Sequence, residues 1–225
     1  MDDMTPNLNE QAELFKKNGF IFIKDFISKE FATFLYNYTL MKRQSMKTMI
    51  DRKILEPKNI LGTIYDLQVE GAFCSYGDPA METLQLGCIN KINKILNIEV
   101  CPTYSFVRIY FKGNELEKHL DRDACEISVS VCLGYDYTGA PKDYQCGLFL
   151  GDKEITLDIG DAVIYKGTQI EHWREPFQGT MQCQLFMHYN NTDGPFRLDN
   201  IYDKRPHLGL PPEEIMHDIE HKDNY

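Results

Sequence analysis

The sequence predicts an α+β fold: a double-stranded β-helix, or jelly-roll core of two sheets, with N-terminal helices packed outside it. Residues 102–190 read as consecutive short runs rich in β-branched and aromatic residues, divided by Gly-Asp and Gly-Thr turns. The N-terminal region instead carries apolar residues at helical spacing. With 225 residues, no internal repeat and no low-complexity segment, the chain suits one domain long enough to bury a core. We expect a single domain over 1–225, with a helical support region at 1–100, the jelly roll at 102–190 and a C-terminal extension at 191–225.

Taken in order, Asn7 and Glu10 sit three apart ahead of an apolar-periodic run and cap a helix to about Lys17, which Asn18-Gly19 ends. FIFIKDFI follows as a strand. Ser28 caps a second helix, SKEFATFLYNYTLMKR, whose Phe31, Phe34, Leu35 and Tyr38 recur at helical spacing. Pro57, Gly62 and Gly71 interrupt residues 46–78, which read as strand or loop. A third helix spans Pro79 to Leu96, with Met81, Leu84, Leu86, Ile89, Ile92 and Ile95 on its apolar side. The strand series is then SFVRIYF, EISVSVCLG, GLFLG, EITLDIGDAVIYKG, IEHWREPF and MQCQLFMHYN. Residues 135–144, YDYTGAPKDY, read as a long surface hairpin, with a mobile loop closing over substrate as the other reading.

Composition narrows function. The net charge of −10 argues against a phosphate-binding nucleic-acid surface, which needs clustered Lys and Arg. No apolar run approaches the roughly 20 residues that a membrane helix requires, and MDDMTPNLNEQ has no secretory-leader pattern, so a cytoplasmic location is expected. Seven cysteines (74, 88, 101, 125, 132, 146, 183) without C-x-x-C spacing read as free, mostly buried thiols.

The chemistry concentrates in HLD, at 119–121, and in His172 within IEHWREPF. His119 and Asp121, two apart on an extended segment, project to one face and can share an ion. Two imidazoles and one carboxylate form the facial triad of non-haem iron sites, which leaves coordination positions open. TYSFVRIYFKG reads as a strand running into a turn at Gly113, which would present the pair at a strand edge. An exposed histidine beside a solvated aspartate is the plainer alternative.

These residues, with GFIFIKDFIS and the Gly160-Asp161 turn, resemble the 2-oxoglutarate- and Fe(II)-dependent dioxygenase superfamily over about residues 10–190. VRIYFKGNELEKHLDRDACEIS resembles its prolyl-hydroxylase-like or phage-type branch. The resemblance implies Fe(II) held by His119, Asp121 and His172, with 2-oxoglutarate and O2 as co-substrates and ascorbate as an admissible reductant. It further implies hydroxylation of a C–H bond in a peptidyl or small-molecule substrate, coupled to decarboxylation of 2-oxoglutarate to succinate, by a monomer or homodimer. Halogenating members lack the carboxylate that Asp121 retains. The family also places an Arg or Lys on the strand after the distal histidine, to hold the far carboxylate of 2-oxoglutarate; here that stretch is QGTMQCQ, with no basic residue.

Arg174 is the first candidate for that role, since His172 and Arg174 share a face of an extended segment and a guanidinium suits bidentate carboxylate recognition. A salt bridge to Glu171 or Glu175 is its alternative. Arg122, Arg108 and Tyr110 are further candidates. Trp173 either walls the pocket or packs the core, and the row of Ser128 and Ser130 faces either pocket or solvent. His188 reads as a satisfied histidine rather than a fourth ligand. His207, His217 and His221 read as solvated, with Pro211-Pro212 opening a short acidic helix. Two other functions stay open: a cupin-like Zn or Mn isomerase or hydrolase that needs no keto acid, and a catalytically silent domain that binds a ligand or partner.

Overall fold

The computed structural model describes residues 7–212 and Ile215. Asn7 accepts from the Glu10 amide and Glu10 reaches back to the Asn7 amide, so a full capping box opens α1 (Leu8–Asn18), and Gly19 closes it at φ 77°. β1 (Phe20–Ile23) follows. Ser28 caps α2 (Lys29–Asp51), which runs well past the predicted end because no Gly or Pro intervenes before Pro57. Residues 46–78 resolve into the end of α2, the two-residue strands β2 (Lys58–Asn59) and β3 (Gly62–Thr63), and β4 (Phe73–Tyr76). α3 (Pro79–Leu96) has the bounds that the sequence indicates, and the structure adds Asp78 as its N-cap, accepting from the amides of Ala80 and Met81.

Eight core strands come next: β5 (Val100–Phe111), β6 (Leu116–His119), β7 (Ile127–Asp136), β8 (Gly147–Leu150), β9 (Lys153–Thr156), β10 (Ala162–Tyr165), β11 (His172–Arg174) and β12 (Met181–Asn191). They divide between a larger sheet, ordered β1-β10-β7-β12-β5-β4-β3-β2, and a smaller one, β6-β11-β8-β9. The chain crosses repeatedly from one sheet to the other, which is the jelly-roll winding. Two expectations change here. EITLDIGDAVIYKG is two strands in different sheets, because Gly160 turns the chain at φ 90° and the Asp161 carboxylate takes the amides of Asp158 and Asp25. Residues 137–146 are an inter-sheet crossing rather than a hairpin, since β7 and β8 lie in opposite sheets. Tyr137 and Tyr144 of that crossing pack on Phe177, which fixes it in place.

The core sits between the helices and the outer face of the larger sheet. Phe15 of α1, Leu35 and Met46 of α2, and Met81, Ile92 and Leu96 of α3 cover Val107, Ile109, Val129, Val131, Leu185 and Met187. Along α2 the buried row is Ala32, Leu35, Thr39 and Met46, while Phe31 and Phe34 are exposed and stack on each other. On α3, Leu86 likewise faces outward. The described cysteines are all free and, except for half-buried Cys101, buried. No described helix is long and apolar enough to cross a membrane. A short helix, α4 (Arg197–Asn200), begins the C-terminal segment; His217, His221 and most of the helix expected after Pro211-Pro212 lie outside the described residues.

Candidate metal centre

β6 ends at His119 and β11 begins at His172, and the two are cross-strand partners in the smaller sheet. Directly opposed residues of antiparallel strands present side chains on the same face, and the two imidazole centroids lie 4.3 Å apart. β6 itself is polar, LEKH, and for that reason carries no strand signal in the sequence. Asp121 follows in a segment held by the hydrogen bond that its backbone N–H donates to Gly167 O, at 2.9 Å. Gly167 has no room for a side chain: a Cβ there would strike Asp121 Oδ2.

Asp121 Oδ1 lies 3.6 Å from His119 Nε2 and 3.4 Å from His172 Nε2. The other ring nitrogens are tied down, His119 Nδ1 to Glu117 O at 2.7 Å and His172 Nδ1 to Ile170 O at 2.9 Å. A carbonyl partner requires Nδ1–H, so in each ring Nε2 is the atom turned to Asp121 and the one available to a metal. The second Asp121 oxygen accepts from Ser128 Oγ at 3.0 Å, and Ser128 Oγ also meets His188 Nδ1 at 2.9 Å. The three side chains offer ligand atoms within 4.8 Å of one another, a donor set that fits one divalent ion. Without an ion, the hydrogen bond to Asp121 raises the His119 pKa against the opposing effect of burial. Burial alone would raise the Asp121 carboxyl, but hydrogen bonds from His119 and His172 hold it well below the ordinary range. Burial pushes His188 down to about 4, so it is neutral. His188 is therefore the satisfied histidine expected, yet it also lines the cavity and joins Asp121 and Cys125 in a second group of potential ligands.

The cavity around the triad measures about 380 Å³ and is walled by Tyr104, Phe106, Leu116, Tyr165 and Phe186. An adjoining, more apolar groove of about 500 Å³ shares Gln68, Phe106 and Arg108 with it and continues past Tyr65, Leu67 and Pro211. Arg108 and Arg122 both reach the cavity, but each already holds a carboxylate. Arg108 binds Asp66 through Nε at 2.5 Å and Nη2 at 3.1 Å, and Arg122 binds Asp203 through two nitrogens at 2.6 Å. Tyr110 is buried and accepts from Arg108 Nη1 at 3.2 Å.

Arg174 differs. It is 1% exposed, its Nη1 bonds only backbone carbonyls and the Cys146 sulfur, and its Nε and Nη2 have no partner. The expected alternative partners are engaged elsewhere, Glu171 with Lys118 and Glu175 with Trp173. Trp173 points away from its neighbours His172 and Arg174 and stacks on Phe149, so it does not wall the cavity. Ser128 and Ser130 face the interior between the sheets, and His207 is exposed. Gly167 is a site residue that the sequence does not single out, although the Gly-Thr turn itself is visible there.

No protein-family model matches the sequence, and no curated protein matches it. Solved structures do match. A prolyl-4-hydroxylase from Pseudomonas putida superposes with a TM-score of 0.54 at 14% identity, covering 82% of this chain and 98% of that one. A prolyl hydroxylase from Trichoplax adhaerens, solved with a hypoxia inducible factor peptide fragment, gives 0.54 at 16%, covering 82% and 89%. The non-haem α-ketoglutarate-dependent epimerase SnoN of nogalamycin biosynthesis gives 0.58 at 13%, covering 91% and 94%. The fold is that of the 2-oxoglutarate/Fe(II) oxygenases, as the sequence resemblance implied.

Proposed function

We propose that the protein is an Fe(II)- and 2-oxoglutarate-dependent oxygenase that hydroxylates a C–H bond of a peptidyl or small-molecule substrate. The observation that carries this reading is the convergence of His119 Nε2, Asp121 Oδ1 and His172 Nε2 on one point inside a cavity between the sheets. The neighbouring structures' names support the co-substrate, since one viral prolyl hydroxylase is described as a 2-oxoglutarate complex and HygX as holding nickel and 2-oxoglutarate.

When bound, Fe(II) would supply the chemistry that couples decarboxylation of 2-oxoglutarate to oxidation of the substrate by O2. The protein's own residues do the rest. Glu117 O and Ile170 O fix the imidazole tautomers, and Ser128 holds Asp121 Oδ2 so that Oδ1 faces the histidines. Tyr165, Leu116 and Phe186 line the cavity with apolar surface that limits water around the reacting groups. Arg174, buried with two unpaired nitrogens, receives the far carboxylate of the keto acid. Arg108 and Arg122, neutralised by Asp66 and Asp203, act as walls of the substrate path. The apolar groove past Tyr65 and Leu67 receives the substrate.

Anaerobic titration with Fe(II) and then 2-oxoglutarate tests the reading. A visible metal-to-keto-acid charge-transfer band, lost in His172→Ala, is expected, followed by succinate formation on admitting O2. Metal binding without that band would leave a metal enzyme that uses no keto acid and overturn the assignment.

A further inference from the structure

We infer that Gln182 and Gln184 act with Arg174 as a single receptor for the far carboxylate of the keto acid, with the guanidinium on one sheet and two neutral amide donors on the other. The inference rests on the oxygenase reading above. Among the described residues, the buried arginines 108 and 205 pair with Asp66 and Glu82, whereas no ion pair involves Arg174. Both amide atoms of Gln182, and Nε2 of Gln184, are buried without a partner, as are Nε and Nη2 of Arg174. Buried donors without acceptors are rare in native proteins and call for an explanation.

The three side chains share one neighbourhood. Gln182 is the cross-strand partner of Tyr110, and the Arg174 guanidinium carbon lies 5.6 Å from the Tyr110 ring centre. Gln184 stands opposite Arg108 on one side and Cys132 on the other. Arg174 is in turn the cross-strand partner of Leu116, which lines the metal cavity. A carboxylate offers about four lone-pair directions, of which a guanidinium edge fills two. Amide N–H groups can fill the others without burying a second cation. The oxygen of Gln184 accepts from Ser130 Oγ at 3.3 Å, which leaves its amide nitrogen as the free donor. Arg174 on β11 thus offers the cation that QGTMQCQ lacks, and Gln182 and Gln184 of that stretch offer neutral donors.

The test uses the Fe(II) protein under anaerobic conditions and reads keto-acid affinity from the charge-transfer absorbance, with 2-oxoglutarate and, in parallel, 2-oxobutyrate, which lacks the far carboxylate. Gln182→Leu and Gln184→Leu should each weaken 2-oxoglutarate about 10-fold, and Arg174→Gln about 100-fold, with 2-oxobutyrate affinity unchanged. The exchange variant, Arg174→Gln with Gln182→Arg, should recover about 10-fold over Arg174→Gln alone, because it returns a guanidinium to the same neighbourhood. Wild-type 2-oxoglutarate affinity in both leucine variants would overturn the inference. So would equal weakening of both keto acids, which marks a structural role. Absence of 2-oxoglutarate binding in the unaltered protein would remove the oxygenase reading itself, a separate outcome.

Discussion

The two faces of β12 present opposite chemistry on one strand. Cys183, Leu185, Met187 and Tyr189 point out to the helices and belong to the apolar core. Gln182, Gln184, Phe186 and His188 point in between the sheets, where several of their polar atoms have no partner. Both rows are buried, so burial alone does not distinguish them. Strand alternation separates a face packed on the helices from a face turned to the candidate site. The outer row is satisfied by packing and by the bond from the Tyr189 hydroxyl to Gln85 O, whereas the inner row keeps buried amide atoms of Gln182 and Gln184 without partners.

The largest expected effect falls on the inner side of that contrast, at the proposed metal ligands. Asp121→Ala or His172→Ala should lower Fe(II) affinity by at least about 100-fold and abolish turnover. Metal affinity by competition with a chromophoric chelator measures this; retention of wild-type affinity would mean that the triad is not the metal site.

Next comes the contrast itself. Leu185→Ala should destabilise the protein by about 2–5 kcal/mol through lost burial and a residual cavity. Gln182→Leu, on the opposite face of the same strand, should leave stability unchanged or slightly raised, because it removes two buried polar atoms that lack partners. Urea unfolding of the two variants decides it. A large loss for Gln182→Leu would show that its amide is structural after all.

Much of the fold and of the candidate metal site is legible in the sequence, for identifiable reasons. Asn7 and Ser28 announce helix starts through local hydrogen bonding, and the β-branched runs announce the long strands. The triad is legible because His119 and Asp121 lie close in sequence and His172 follows a strand signal. What stays hidden depends on tertiary contact. That Arg108 and Arg122 are neutralised follows from Asp66 and Asp203, which no local pattern connects to them. The role of Gly167 follows from Asp121 packing against it. β6 is hidden because its polar residues carry no alternation, and its pairing with β11 alone makes it a strand.

His188 extends the comparison to pH. Burial puts its folded pKa at about 4, below the ordinary 6.5, so the folded state binds fewer protons than the unfolded chain between those values. Its contribution is therefore intact above pH 6.5 and is lost as the pH falls towards 4, on the order of 3 kcal/mol in the metal-free protein. His188→Gln should flatten the stability curve across that window. An unchanged slope would assign acid sensitivity to other groups.

The smallest effect is expected on the outer surface of α2. Phe31, Phe34, Leu35 and Tyr38 share helical spacing, but a helix buries only the stripe that meets the sheet, and that stripe is Ala32, Leu35, Thr39 and Met46. Phe34 is 62% exposed and rests on Phe31. Phe34→Ser should therefore change unfolding free energy by no more than about 0.5 kcal/mol, the range of ordinary surface substitutions. A loss of several kcal/mol would mean that this face of α2 is also covered, and that the apolar side of the molecule extends beyond the outer row of β12 and the helices resting on it.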